Sequence, residues 1–166
     1  HSAAVAGNAK EIARFEKLPA DVTSNAILSA MLHDVGKLAL ADQVPERYEE
    51  VLDVAREQST PSWRVERELL QATHAELGGY LAGLWGLPYA VMEALFYHHE
   101  PSKCPTRSLN ALAIVHAANI IQHRLEGDEE EDEDELDRDY LTALGLLDRL
   151  EGWLQTCRDI MAQGQD

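Results

Sequence analysis

The chain has 166 residues, 45% of them apolar, which is enough for one well-buried domain and short for two. Its 30 acidic residues outweigh 14 basic ones and leave a formal charge of −16. That balance opposes binding to nucleic acid or to an anionic membrane surface, because both need clustered Lys and Arg to neutralise phosphates.

Helical periodicity dominates, with Gly, Pro and Asp or Ser at the breaks. In chain order it predicts helices from Ser2 to Glu16, Asp21 to Leu38, Pro45 to Gln58, Ser62 to Trp85, Pro88 to His99, Ser108 to Leu125 and Leu136 to Ala162. Strand-like alternation between hairpin turns is not found, so the expected class is all-α, a bundle of packed helices. From Glu126 to Asp139 the run "EGDEEEDEDELDRD" is nearly all acid and reads as a solvated, flexible loop. It lacks the Asp-x-Asp-x-Asp-Gly spacing of a calcium loop. Beyond it, Leu144, Leu147, Leu150 and Leu154 form an apolar stripe. A helix over 140–166 packing on the same domain accounts for it, with a dimer or partner helix as the alternative. Residues 1–125 are expected to form the domain body, with no internal repeat and no Gly/Ser linker.

Cys104 and Cys157 form no CxxC pair and fit a reducing cytoplasm. No apolar stretch approaches the ~18 residues that cross a bilayer, and no secretory segment is recognisable. A cytoplasmic protein is expected. Position 1 is not Met and already reads as helix, so the chain is expected to be a piece of a longer protein.

Seven histidines carry the chemistry. In "MLHDVGKLAL", His33 and Asp34 stand in an apolar run, about 100° apart if the segment is a continuous helix. Lys37 follows one turn later, so the segment can hold a cation and an anion together. In "QATHAELGGYLAGLWGLP", His74 reads as lying inside a helix, with Gly78 one turn on leaving room for a close approach. "FYHHEP" puts His98 and His99 at a helix end, stopped by Glu100 and Pro101. A lone His on an apolar face is more often a hydrogen-bonded core residue than a ligand. His116 and His123 are left in that class, the latter at a helix C-terminus whose dipole favours imidazolium. The other five residues together, His33, Asp34, His74, His98 and His99, are the donor types of zinc, iron or manganese sites.

The ordered segments "HSAAVAGNAKEIA", "LHDVGKL", "HAELGGYLAGLWGLP", "YHHEP" and "IVHAANII" resemble the HDOD family, the signalling branch of the HD metal-dependent phosphohydrolase superfamily. The resemblance runs from His1 to about Arg124 and implies that this chain is the C-terminal half of such a domain. It also implies bacterial signal transduction, through a signalling partner or a fused receiver-type domain as in a response regulator. The related HD-GYP phosphodiesterases assemble two metals from a first His, the HD pair, a later His, an HH pair and a final Asp. By matching motif, His1, His33, Asp34, His74, His98 and His99 take those places, and Asp34 bridges two ions. Asn119 stands where the final Asp is expected, so the ion beside it should be held more loosely. The Gly-Tyr-Pro loop is replaced by "EPSKCPTRS", which argues against cyclic di-GMP as substrate.

The resemblance thus implies one or two divalent ions of Fe, Zn or Mn. It leaves three readings: a regulatory module with a His/Asp metal site, a phosphohydrolase using Asp34 and Lys37 on a small phosphorylated molecule or nucleotide, and a metal-free scaffold. The first is preferred, because one ligand is lost from an otherwise filled site.

Overall fold

Ala and branched apolar residues three and four apart shape the first helix, α1 (Ser2–Phe15), which buries Val5, Ala9, Ile12 and Ala13. A computed structural model of the protein describes residues 1–127 and 135–163, so half of the acidic run expected as a flexible loop, residues 128–134, lies outside the described residues. After α1 come α2 (Ala20–Leu32), α3 (Val35–Gln43), α4 (Pro45–Gln58), α5 (Ser62–Leu70), α6 (His74–Leu84) and α7 (Tyr89–Tyr97). A short 3₁₀ turn at Pro101–Lys103 leads to α8 (Ala111–Glu126), then α9 (Arg138–Ala143) and α10 (Leu150–Gln163). The fold is all-α, and the described residues contain no strand.

Helix α8 is the axis of the bundle. Asn110 caps its start by accepting the Ala113 N–H, and Gly127 closes its end at φ +93°, a left-handed conformation favoured by glycine. Every residue from Ala111 to Gln122 is buried, because α1, α2, α7 and α10 pack around it. Each fully buried Leu or Ile there contributes about 1.5–3 kcal/mol relative to exposure. Helix α10 joins this core through Leu150, Trp153, Leu154 and Cys157, and the Trp153 indole N–H donates to Glu16 at 2.9 Å. No described helix is long and apolar enough to cross a membrane.

Three segments expected as single helices are broken. The Asp21–Leu38 segment divides at His33 and Asp34, where Asp34 (φ −97°, ψ 7°) leaves helical geometry and starts α3. The expected Ser62–Trp85 helix breaks at Gln71, left-handed at φ 61°. A capping box then starts α6, with Thr73 and Glu76 each bonding the other's backbone N–H. His74 is therefore a first-turn residue rather than an interior one. The C-terminal segment breaks at Gly145 (φ +66°), so of the leucine stripe only Leu150 and Leu154 lie on α10, with Leu144 just past α9 and Leu147 in a short 3₁₀ turn. The "MLHDVGKLAL" run is not uniformly core either, because Met31 and Leu38 are exposed.

Gly36 fixes how closely α3 meets α6. A Cβ there would lie 2.0 Å from the His74 carbonyl oxygen and 2.8 Å from its carbon, both backbone atoms that a rotamer change cannot move. Gly36→Ala should cost about 1–3 kcal/mol through overpacking and lower the Tm by about 2–4 °C per kcal/mol. Gly7→Ala, on an exposed face of α1 with open space around the new methyl, should instead stabilise by about 0.5–1 kcal/mol. Thermal melts of the two variants check the contrast, and equal shifts would contradict the close approach.

Candidate metal centre

The break between α2 and α3 turns His33 and Asp34 inward together. The His33 Nδ1–H donates to the Ala30 carbonyl at 2.8 Å, leaving Nε2 3.5 Å from Asp34 Oδ2. The His98 Nδ1–H, at the end of α7, likewise donates to the Leu95 carbonyl at 2.8 Å. Both helix ends use an otherwise unsatisfied carbonyl to fix an imidazole with Nε2 facing the interior.

His74 is held differently. Its backbone N–H and its Nδ1–H both donate to Glu66 of α5, at 2.6 and 2.7 Å, and its Nε2 lies 3.2 Å from Asp34 Oδ1. Glu66 is wholly buried. Burial lowers the His74 pKa, but the hydrogen bonds to Asp34 and Glu66 outweigh it and the net shift is upward. Burial raises the Asp34 pKa, yet the hydrogen bond from His74 and the charges of His33 and Lys37 hold its carboxyl well below the usual range. Lys37 Nζ donates to Asp34 Oδ2 at 2.9 Å.

His99 turns its Nε2 to within 3.1 Å of His74 Nε2, so the two nitrogens must share a proton or a cation. Its ring stacks on Trp63 of α5, centroids 5.3 Å apart. His98 and His99 are pushed well below the normal imidazole pKa, first by burial and then by the neighbouring histidines, and so stay neutral as metal ligation requires. His1, at the start of α1, donates from Nε2 to Asn119 Oδ1 at 2.9 Å, and its ring centroid is 5.5 Å from that of His33.

The seven residues singled out as metal donors are thus brought together. The described residues contain two donor clusters, His74 with His98 and His99, and His1 with His33 and Asp34, each with ligand atoms within 4.8 Å of one another. His98 Nε2 is buried with no hydrogen-bond partner among the described residues, an arrangement that leaves a lone pair aimed at the cluster. Neutral imidazoles around a carboxylate suit a borderline divalent cation, so these residues fit zinc, iron or manganese.

Above the clusters lies a cavity of about 300 Å³, with Asp34, Lys37, His99 and Asn119 in its wall. Trp63, His123 and Glu135 also line it. Of these, His123 is expected from sequence in the hydrogen-bonded core, yet its ring centroid is 5.1 Å from that of His1. His116 stays outside the clusters, donating from Nδ1 to the His98 carbonyl at 2.8 Å and accepting the Asp137 N–H on Nε2 at 3.1 Å. Sequence pattern alone does not single out Glu66, Trp63 or Glu135. Glu66 precedes His74 by eight residues across a helix break that hides their contact, and Glu135 is one acid among many.

Comparison with known proteins agrees with this architecture. The HDOD domain profile matches residues 1–101. An uncharacterized protein of Treponema pallidum is 24% identical over 105 residues, which is 63% of this chain and 20% of that one. A crystal structure from Shewanella amazonensis, whose name proposes a phosphohydrolase, superposes with a TM-score of 0.72 at 20% identity, over 98% of this chain and 59% of that one. An HDOD domain protein of unknown function from Geobacter sulfurreducens gives a TM-score of 0.69 at 22% identity, over 95% and 60% of the two chains. The chain therefore spans about a fifth of the Treponema protein and three-fifths of the two crystal structures. With the profile covering more than half of its length, the chain belongs to the HDOD domain family.

Proposed function

We propose that this HDOD domain is a bacterial signalling module built around a His/Asp metal site, regulatory rather than efficiently catalytic. The observation that carries the metal is His98 Nε2, buried without a hydrogen-bond partner among the described residues, beside donors whose other nitrogens are already held. One ion would be held by His74, His98, His99 and Asp34, and a second, looser one by His1, His33 and Asp34 beside Asn119. When bound, such an ion lowers the pKa of a coordinated water and polarises phosphoryl oxygens.

The chain's own residues favour regulation over turnover. Lys37 is committed to Asp34 at 2.9 Å rather than presented to an anion. The amide at position 119 supplies no charge. Glu135 adds a carboxylate to the cavity wall where a phosphate would have to enter. A signalling protein or a fused receiver-type domain is the partner in this reading. The two buried free cysteines accord with a cytoplasmic setting.

A second reading, a metal-dependent phosphohydrolase acting on a small phosphorylated molecule or nucleotide, is favoured by one feature. Lys37 lines the cavity wall beside Asp34, close enough to steady phosphoryl charge if it releases the carboxylate.

Elemental analysis of protein purified without added metal or chelator should find one or two atoms of Fe, Zn or Mn per chain. Asp34→Ala should lose most of it while remaining helical by circular dichroism; an absence of metal in the parent, even after incubation with it, would remove the metal site. Glu66→Gln should weaken retention about 10–100-fold in a chelator competition, because it removes the charge behind His74. Asn119→Asp should raise occupancy of the looser ion in a metal titration, and an unchanged titration would contradict the place assigned to Asn119.

A further inference from the structure

Glu135 belongs to the acidic run, yet its side chain is only 9% exposed. It accepts the Trp63 indole N–H at 3.0 Å, and its Oε1 lies 3.4 Å from His99 Nδ1. Its other oxygen is 3.9 Å from His123 Nε2. Trp63 both stacks on His99 and holds the carboxylate in front of that ring.

The residues after Glu135 fasten it there. Leu136 is buried in the main core. Asp137 receives the backbone N–H and hydroxyl of Ser102 at 2.9 and 2.7 Å, while its own N–H donates to His116 Nε2. His116 is tied through Nδ1 to the His98 carbonyl, the residue before His99. The strap that carries Glu135 is thus anchored on the backbone of the HH pair.

A metal-bound imidazole needs a partner for its other nitrogen, which fixes the ring and increases its basicity. His33 and His98 use backbone carbonyls, and His74 uses Glu66. For His99 the group facing Nδ1 is Glu135. At 3.4 Å the contact is electrostatic rather than a short hydrogen bond. Glu135 also returns to the cavity the negative charge that Asn119 does not supply. We infer that Glu135 is a positioning residue of the metal centre, an outer carboxylate that steadies His99 as Glu66 steadies His74. It lies outside residues 1–101, which match the family profile.

This inference rests on the metal reading, and cobalt(II) titrated into chelator-stripped protein separates the two. Visible absorption reports coordination and chelator competition reports retention. Glu135→Gln should lose cobalt about tenfold faster or more and shift the absorption bands. Glu49→Gln, on an exposed face of α4, should match the parent. Trp63→Phe, which keeps an aromatic ring against His99 but removes the N–H that holds Glu135, should shift the bands in the same direction, and it decides the matter if Glu135→Gln does not fold. Parent-like retention and spectra in Glu135→Gln, or in Trp63→Phe where only that variant folds, would overturn the role of Glu135 alone. Failure of the parent to bind cobalt would overturn the metal reading and this inference with it.

Discussion

The centre depends on one buried line of charge, Glu66 to His74 to Asp34, with separations of 2.7 and 3.2 Å. Removing two carboxylates from water costs several kcal/mol per ion, and the arrangement persists only because each is hydrogen-bonded to the imidazole between them. The line crosses from α5 through α6 to the start of α3. Removing one member would leave its neighbour as an uncompensated buried charge, a change that costs about 3–5 kcal/mol in comparable settings. Stability and site geometry are therefore set by the same atoms. That is why Gly36 matters: the line closes only if α3 can lie against the His74 backbone, and a side chain at position 36 would hold it off.

Some of this was legible in the sequence for physical reasons. His33 with Asp34, and His98 with His99, are adjacent, so each pair reaches the same place wherever the fold puts it. The all-α class followed from periodicity that tertiary packing then reinforced. The helix breaks were harder. A continuous apolar period runs through His33 and Asp34, and nothing in that period shows that Asp34 leaves helical geometry to aim inward. The break before His74 did have a local signature, the Thr73 and Glu76 spacing of a capping box, which the apolar period on either side obscured.

What escaped were contacts made across breaks and returns of the chain. Glu66 sits on a strongly amphipathic helix where an acid ordinarily faces water, and only the left-handed turn at Gln71 folds it back under His74. Glu135 was hidden by its neighbours, since a run of like charges reads as uniformly solvated. Its described end is not: Leu136 is an apolar anchor amid the acids, and it draws the carboxylates on either side onto the protein surface.

The charge distribution in the cavity bears on what such a centre can do. A phosphohydrolase site gains when cations and donors are left uncommitted, so that developing negative charge meets groups already in place. Here the ammonium of Lys37 is neutralised by Asp34, and the cavity wall carries a second carboxylate in Glu135. Both features weaken reception of an anion, and Glu135 also favours retention of a cation. The lost carboxylate at Asn119 acts in the opposite sense at one ion only. A site with those biases is suited to holding a cation between α3, α6 and the strap at Glu135 rather than to receiving a phosphate.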